Sequence, residues 1–440
     1  MKLLSFLIKI ILSFCAVNIY LGALLYLHGA GKVLAITAGI IFILVLCIIP
    51  CRSKEKGRLG RMHRGSCLMK VFLVDATAEL ILSIYLAVSG KWGLTATVNC
   101  IVAVLLLALM FLVSAVRIYA SSAQIGVKWR LLGILFALIP GINFWILFRI
   151  IRLTDDEYKL ECSRIALDRS REHEKVCATK YPILMVHGVF FRDIKAFNYW
   201  GRIPQALEKN GAKIYYGSQQ SADSVAGCAA ELKAKIDEIV EKEQCGKVNI
   251  IAHSKGGLDS RYAISVLGAS DKVASLTTVN TPHRGCQFAE YLLSKVPEGF
   301  KNGLADKYNA ALKKLGDTKP DFLAAVTDLT ASACEEMNRK CKDVKGVFYQ
   351  SVGSRSVSAR GGRFPLNLSY QLVRYFDGPN DGLVSVDSMK WGENFRFVEP
   401  SGKRGITHGD VIDLNRENIK GFDVREFYVK LVSDLKARGY

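Results

Sequence analysis

An α/β domain built on a mostly parallel sheet, with helices on both faces and an all-α bundle of apolar helices before it, is the architecture this 440-residue sequence predicts. Three observations lead there. Half of the residues are hydrophobic and the mean hydropathy is +0.20, too apolar for a chain wholly in water. The long apolar runs are confined to the first 150 residues, and from about residue 180 short apolar runs alternate with amphipathic stretches.

In the amino-terminal region, residues 4–27, 33–50, 71–89 and 97–116 are each long enough, at roughly 20 residues, to cross a hydrocarbon core as a helix. A fifth run, 131–148, is interrupted by Pro140 and Gly141 and reads as either a span or a re-entrant hairpin. The stretch 51–70 carries seven Lys or Arg against one Glu, so the positive-inside rule puts this basic loop in the cytoplasm. A hairpin would keep Arg149 and Arg152 on that same side and leave the remainder of the chain cytoplasmic. The 12 cysteines show no paired spacing, which suits reduced thiols better than a disulfide framework or a zinc motif. Asp75 and Glu79 share one helical face in the third run and are expected at the membrane interface.

Of the +19 net charge, +12 falls in the first 150 residues. In a chain already held in a membrane, that excess points to anionic lipid headgroups. No basic–aromatic motif supports nucleic acid as a partner.

Residues 151–180 are charged and read as a linker or connecting helix, which places the domains at 1–150 and 181–440. Beyond them, "YPILMV" (181–186), "AKIYY" (212–216), "KVNIIA" (247–252), "LTTVN" (276–280) and "VFYQSV" (347–352) are continuous apolar runs, the pattern of parallel strands buried on both faces. "CAAELKAKIDEIVEK" (228–242) is one of the covering helices.

The third of these strands runs into Ala252-His253-Ser254-Lys255-Gly256 and then a helical pattern. A serine between two small residues at a strand-to-helix turn is a nucleophile elbow, in which the missing bulk lets the turn close and lifts the hydroxyl off the sheet. Such a string arises by chance roughly once in three chains of this length. Its weight therefore depends on finding a base and an acid.

The chain has seven histidines. His28, His63 and His173 lie outside the domain, His187 precedes the serine, His253 sits inside the elbow, and His283 follows too closely to leave room for an acid between them. His408 remains as the base. The acid should lie before it, and "YFDGPNDGLVS" offers Asp377 and Asp381, with Asp387 a little further on; Asp381 stands in an Asn-Asp-Gly turn suited to a strand end. Backbone amides of Val189, after His187-Gly188, and of Lys255 are candidates for an oxyanion hole, with the lysine charge free to bias the choice of substrate.

"YPILMVHGVFFRD", "VNIIAHSKGGLDSRY", "LTTVNTPHRGCQFAEYL", "NDGLVS" and a histidine in "THGD", in this order, resemble the bacterial triacylglycerol lipases of the α/β-hydrolase superfamily over about residues 180–440. The resemblance implies the α/β-hydrolase fold, Asp381 as the acid, an acyl-serine intermediate and a long-chain acylglycerol ester as substrate. It also implies a helical lid in the insertion at about 287–344, where Lys295, Lys301, Lys307, Lys313 and Lys314 would meet an anionic membrane. The calcium site of those lipases is matched only by Asp410. Leu414 stands where a ligand glutamine would be and no acidic residue occurs from Ser354 to Tyr375, so no cofactor or metal is expected. The membrane bundle is a further departure from the secreted lipases. The expected function is that of a membrane-anchored serine lipase or esterase; the alternatives are an acyltransferase or phospholipase using the same triad, or a scaffold or transport protein with an inert hydrolase-like domain.

Overall fold

The computed structural model describes residues 2–136, 139, 141–189, 198–314, 316–392, 394–399 and 402–440. The chain divides into two compact units, Met1–Arg169 and Ser170–Tyr440.

The first unit is helical: α1 (Lys2–Val17), α2 (Ile19–Tyr26), α3 (Ala30–Ile48), α4 (Gly57–Val88), α5 (Leu94–Ser121), α6 (Gly126–Leu135) and α7 (Ile142–Ser170), the last reaching one residue beyond it. Helices α3, α4 and α5 are long and apolar enough to cross a membrane. The first apolar run is not one straight helix, because α1 and α2 meet at Asn18 with a 66° bend, as in a broken span or a re-entrant loop. The basic loop is shorter than its charge count implied. Gly57 onward is already α4, whose Leu59, Met62 and Met69 are buried while the arginines between them stay more exposed, so a helical face was hidden under the charge. Gly65 lets α4 and α5 approach closely: a Cβ there would lie 2.9 Å from Arg117 Cβ and 3.0 Å from Ile118 Cγ1. Asp75 and Glu79 are buried in the bundle interior, and Asp75 is hydrogen-bonded to Ser13 of α1.

Within the fifth run, α6 ends at Leu135 and α7 starts at Ile142, and neither passes as a span by length and apolarity. The choice between span and hairpin turns on Pro140, which lies outside the described residues. Of the two readings of 151–180, linker or connecting helix, the structure has the helix along most of its length. Up to Ser170 it is α7, which buries Ile150, Ile151 and Thr154, and the Glu157 carboxylate accepts from Arg58, Ser122 and the Ala123 and Gln124 amides. Its charges are partnered on a packed helix, which composition alone does not reveal.

The second unit is the expected α/β-hydrolase fold. Six parallel strands, β1 (Ile183–Val186), β2 (Ile214–Tyr216), β3 (Val248–His253), β4 (Val273–Val279), β5 (Phe348–Ser354) and β6 (Phe395–Val398), lie in the order β2-β1-β3-β4-β5-β6. The sixth went unread in the sequence because it is a four-residue edge strand, only partly buried, with an arginine between its two phenylalanines. Alternate residues feed two cores. Ile183, Met185 and Ile251 pack on one face with α8 (Ile203–Lys209) and α17 (Val424–Ala437), while Leu184, Val186 and Ile250 pack on the other with α9 (Val225–Glu243). Helix α10 (Lys255–Ser265) follows β3 directly. Between β4 and β5 lie α11 (Gln287–Lys295), α12 (Glu298–Lys314), α13 (Phe322–Thr327) and α14 (Ala331–Lys340), a helical insertion over the range foreseen. Helices α15 (Leu366–Asp377) and α16 (Val386–Met389) precede β6.

The segment after His408 is pinned by one ion pair. Asp413, with φ +58° and its side chain 1% exposed, accepts from Arg202 Nε at 2.7 Å, Nη2 at 2.7 Å and the Arg202 amide at 2.8 Å. Arg202→Ala strands a buried carboxylate and is expected to cost about 3–5 kcal/mol of stability. The full chain in detergent should then melt at a lower temperature by circular dichroism, with Arg202→Lys recovering only part of the loss because it lacks the planar fork.

Candidate functional site

Ser254 sits between β3 and α10 with φ +54° and ψ −132°, a backbone conformation that L residues adopt only when the surroundings impose it. The surroundings here are very close. A Cβ on Gly188 would come within 2.8 Å of Ser254 Cβ, and one on Gly256 within 2.4 Å of the His187 carbonyl oxygen, so these two glycines are the condition for the turn. The Ser254 amide donates to Val279 O at 2.9 Å, tying the elbow to β4. Ser254 is 6% exposed, and its Oγ carries no hydrogen bond among the described residues.

His408 and Asp381, 27 positions apart in sequence, are joined directly. His408 Nδ1 lies 2.7 Å from Asp381 Oδ2, and the His408 amide donates to the Asp381 carbonyl at 2.9 Å. Since a carboxylate only accepts, the imidazole hydrogen is assigned to Nδ1, which leaves the Nε2 lone pair free. Asp381 is fully buried. Its Oδ1 accepts from the Leu383 and Val384 amides at 2.9 and 2.8 Å, and Oδ2 accepts a second bond, from Asn280 Nδ2 at 2.7 Å. The His408 ring packs tilted against the elbow, with its centroid 4.4 Å from that of His253, the neighbour of Ser254, and the ring planes 50° apart.

The other carboxylates lie elsewhere. Asp377 accepts from the Gln287 and Phe288 amides and so holds the start of α11. Asp387 pairs with Lys390 at the surface.

Lys255 starts α10, where backbone amides have no intrahelical acceptor, and Val189 follows the close-packed Gly188. The Lys255 side chain cannot act on a substrate as expected, because it is 2% exposed and turned inward, with Nζ 2.7 Å from Asp259 Oδ1 and 3.3 Å from Cys228 Sγ. Burial opposes its charge, but Asp259 and Cys228 together outweigh burial and hold the ammonium above the ordinary lysine value.

Two positioning residues were missed in the sequence. Asn280, with φ +46°, spends its amide on Asp381 and on Ser354 Oγ at 2.7 Å; an asparagine directly after an apolar strand tolerates such a backbone, which was the available signal. The Tyr199 hydroxyl accepts from the Gly188 amide at 3.1 Å and lies 2.6 Å from His253 Nδ1, linking the loop before Val189 to the elbow. Nothing in the sequence around Tyr199 announced this.

The buried histidines are held neutral. Burial pushes His187 down to about 4 and holds His253 and His283 well below the ordinary histidine value. Asp410, the residue matching the calcium site of the lipases, is turned to another use. Its carboxylate accepts from Arg404 at 3.0 Å and from the Thr407 amide at 3.0 Å, while Leu414 offers no donor atom. A guanidinium on the carboxylate and an apolar neighbour do not fit a calcium ion.

A family model described as palmitoyl protein thioesterase matches residues 182–353. The triacylglycerol lipase of Pseudarthrobacter phenanthrenivorans is 34% identical over 174 residues, covering 37% of this chain and 54% of that protein. The triacylglycerol lipase of Vibrio cholerae serotype O1 is 29% identical over 242 residues, covering 50% and 76%. The chain spans about half the length of the first two curated relatives it matches, 54% and 48%. Among solved structures, the mature lipase BlEst2 of Bacillus licheniformis superimposes with a TM-score of 0.43 at 22% identity, covering 58% of this chain and 92% of that one.

His187 is a probe of the loop. Its folded value of about 4 lies below the ordinary 6.5, so as pH falls through that window the unfolded chain takes up a proton that the native one refuses. The contribution is fully present above 6.5 and lost towards 4, on the order of 3 kcal/mol. Thermal melts across that range should show a shallower pH dependence for His187→Gln than for the natural chain.

Proposed function

We propose that this chain is a membrane-anchored serine ester hydrolase of the α/β-hydrolase superfamily, acting on long-chain acyl lipids. The reading rests chiefly on the buried Asp381–His408 pair packed against the strained Ser254 turn.

In this reading Ser254 Oγ attacks the acyl carbonyl while His408 Nε2 takes its proton, and the developing imidazolium is stabilised by Asp381 through Nδ1. The Val189 and Lys255 amides hold the oxyanion, a pair of donors each worth about 3 kcal/mol in the transition state. His408 returns the proton to the leaving alcohol, and water, deprotonated by the same nitrogen, frees the acid and restores the serine. The open Ser254 hydroxyl agrees with unliganded sites, in which catalytic hydrogen bonds often tighten only with substrate. Among the inserted helices, Tyr291, Leu292, Phe300, Leu304 and Tyr308 are exposed beside the lysines already named, a composition suited to an anionic lipid surface. The thioesterase family match adds a second substrate class, an acyl thioester, attacked by the same hydroxyl.

Fluorophosphonate labelling and turnover of a panel of oxyesters, phospholipids and thioesters test the proposal. Ser254→Ala should abolish labelling, and each of Ser254→Ala and His408→Ala should cut turnover at least about a thousandfold, with the double variant hardly worse than either. Labelling that persists in Ser254→Ala refutes the assignment. Transfer of the acyl group to an added alcohol, instead of water, distinguishes an acyltransferase.

The charges of 52–70 favour a cytoplasmic catalytic unit. Cys228 and Cys334 are buried, so Cys245, which is partly exposed, is the thiol to probe. In a background lacking the other accessible thiols, an impermeant maleimide should modify Cys245 only after the cells are permeabilised.

A further inference from the structure

The turn between α3 and α4 gathers three side chains that ester chemistry does not use. Cys51 follows the end of α3, and His63 and Cys67 stand one turn apart on α4. Their ligand atoms all lie within 4.8 Å of one another, and Cys67 Sγ is 3.8 Å from His63 Nε2. A tetrahedral zinc ion, with bonds of about 2.3 Å to sulfur and about 2.0 Å to nitrogen, holds two such atoms roughly 3.6 Å apart.

The surroundings orient the ring. Tyr158 of α7 stacks on His63 with centroids 4.2 Å apart and planes 8° apart. The Tyr158 hydroxyl also accepts from the Lys54 amide at 3.2 Å and lies 3.1 Å from Ser53 Oγ, so one residue steadies both the imidazole and the segment that follows Cys51. His63 Nδ1 is buried with no hydrogen-bond partner among the described residues, so the ring is not held in place by a bond at that nitrogen. All 12 cysteines are free thiols, Cys51 and Cys67 included. Two thiolates with a divalent ion add no net charge to an already basic region.

We propose that Cys51, His63 and Cys67 form a binding site for a thiophilic cation of the zinc class, with the fourth position open to water or an outside ligand. Two sulfurs and an imidazole select such an ion over magnesium or calcium. Binding releases the two thiol protons and fastens the α3–α4 connection to α4. Cys51 and Cys67 are 16 positions apart with the histidine between them in no standard motif, which is why the sequence reading found no zinc pattern.

The full chain, purified anaerobically in detergent, tests this with zinc and cobalt(II) alone as probes. About one zinc per chain should survive dialysis, and cobalt should produce a thiolate-to-metal charge-transfer band with the visible bands of a tetrahedral site. Cys51→Ser and Cys67→Ser should each lose the band, whereas Cys100→Ser keeps it. His63→Ala should weaken zinc binding by more than the 10- to 100-fold typical of losing an outer-shell partner. His63→Cys should restore binding with a stronger charge-transfer band. Fluorophosphonate labelling and helical circular dichroism confirm that each variant is folded. The proposal is overturned if the thiols titrate as free with cobalt present, if the two serine variants bind zinc as the natural chain does, or if the anaerobic protein carries a Cys51–Cys67 disulfide.

Discussion

The Asp381 carboxylate and its four hydrogen bonds are the constraint on which the site depends. A buried carboxylate left unsatisfied costs several kcal/mol, so the groups that reach it, the Leu383 and Val384 amides, Asn280 and His408, cannot move independently. The four donors come from three separate parts of the chain, and one of them, the imidazole, is thereby held in one tautomer facing one way. The second bond between the same residues, from the His408 amide to the Asp381 carbonyl, fixes the backbone as well as the ring. Orientation is obtained from saturation, and an Arg404–Asp410 ion pair braces the following segment from within.

A second constraint is steric. The elbow holds Ser254 at positive φ only because β1 and β3 run side by side and the loops beyond them nearly touch, His187-Gly188 against Ser254 and Gly256 against the His187 carbonyl. The polar groups trapped in that contact are neutral. Tyr199 bridges Gly188 and His253, and burial keeps the His187 and His253 rings uncharged. The result is a rigid floor beneath the hydroxyl, with charge reserved for Asp381 and the inward ion pair of Lys255 and Asp259.

The amino-terminal unit follows different rules. Its helices leave many apolar side chains outward and put small residues and polar groups between helices, the inverse of a water-soluble bundle. Asp75, Glu79, Asn18 and Asn99 all face inward near the break between α1 and α2, and Asn99 donates to Asn18 at 2.7 Å. In the proposed reading this unit is the anchor that keeps a lipid-directed hydrolase beside its substrate.

How much of this was legible in the sequence follows from the range of the interactions involved. Among the described residues, five of the six strands, the covering helix α9 and the elbow that carries Ser254 could be read because periodicity and turn chemistry are local. Asp381 could be separated from Asp377 only by resemblance, since both sit in one turn-rich stretch; the structure separates them by giving Asp377 to the start of α11. The short edge strand β6, the helical nature of 57–70, the inward turn of Lys255 and the roles of Asn280 and Tyr199 could not be read at all. Composition and spacing along the chain determined which segments are apolar and where the backbone must turn. Which side chains meet, and which way each one points, was decided only when strands far apart in sequence came to lie side by side, because hydrogen bonds and close packing act over a few ångströms and take no account of distance along the chain.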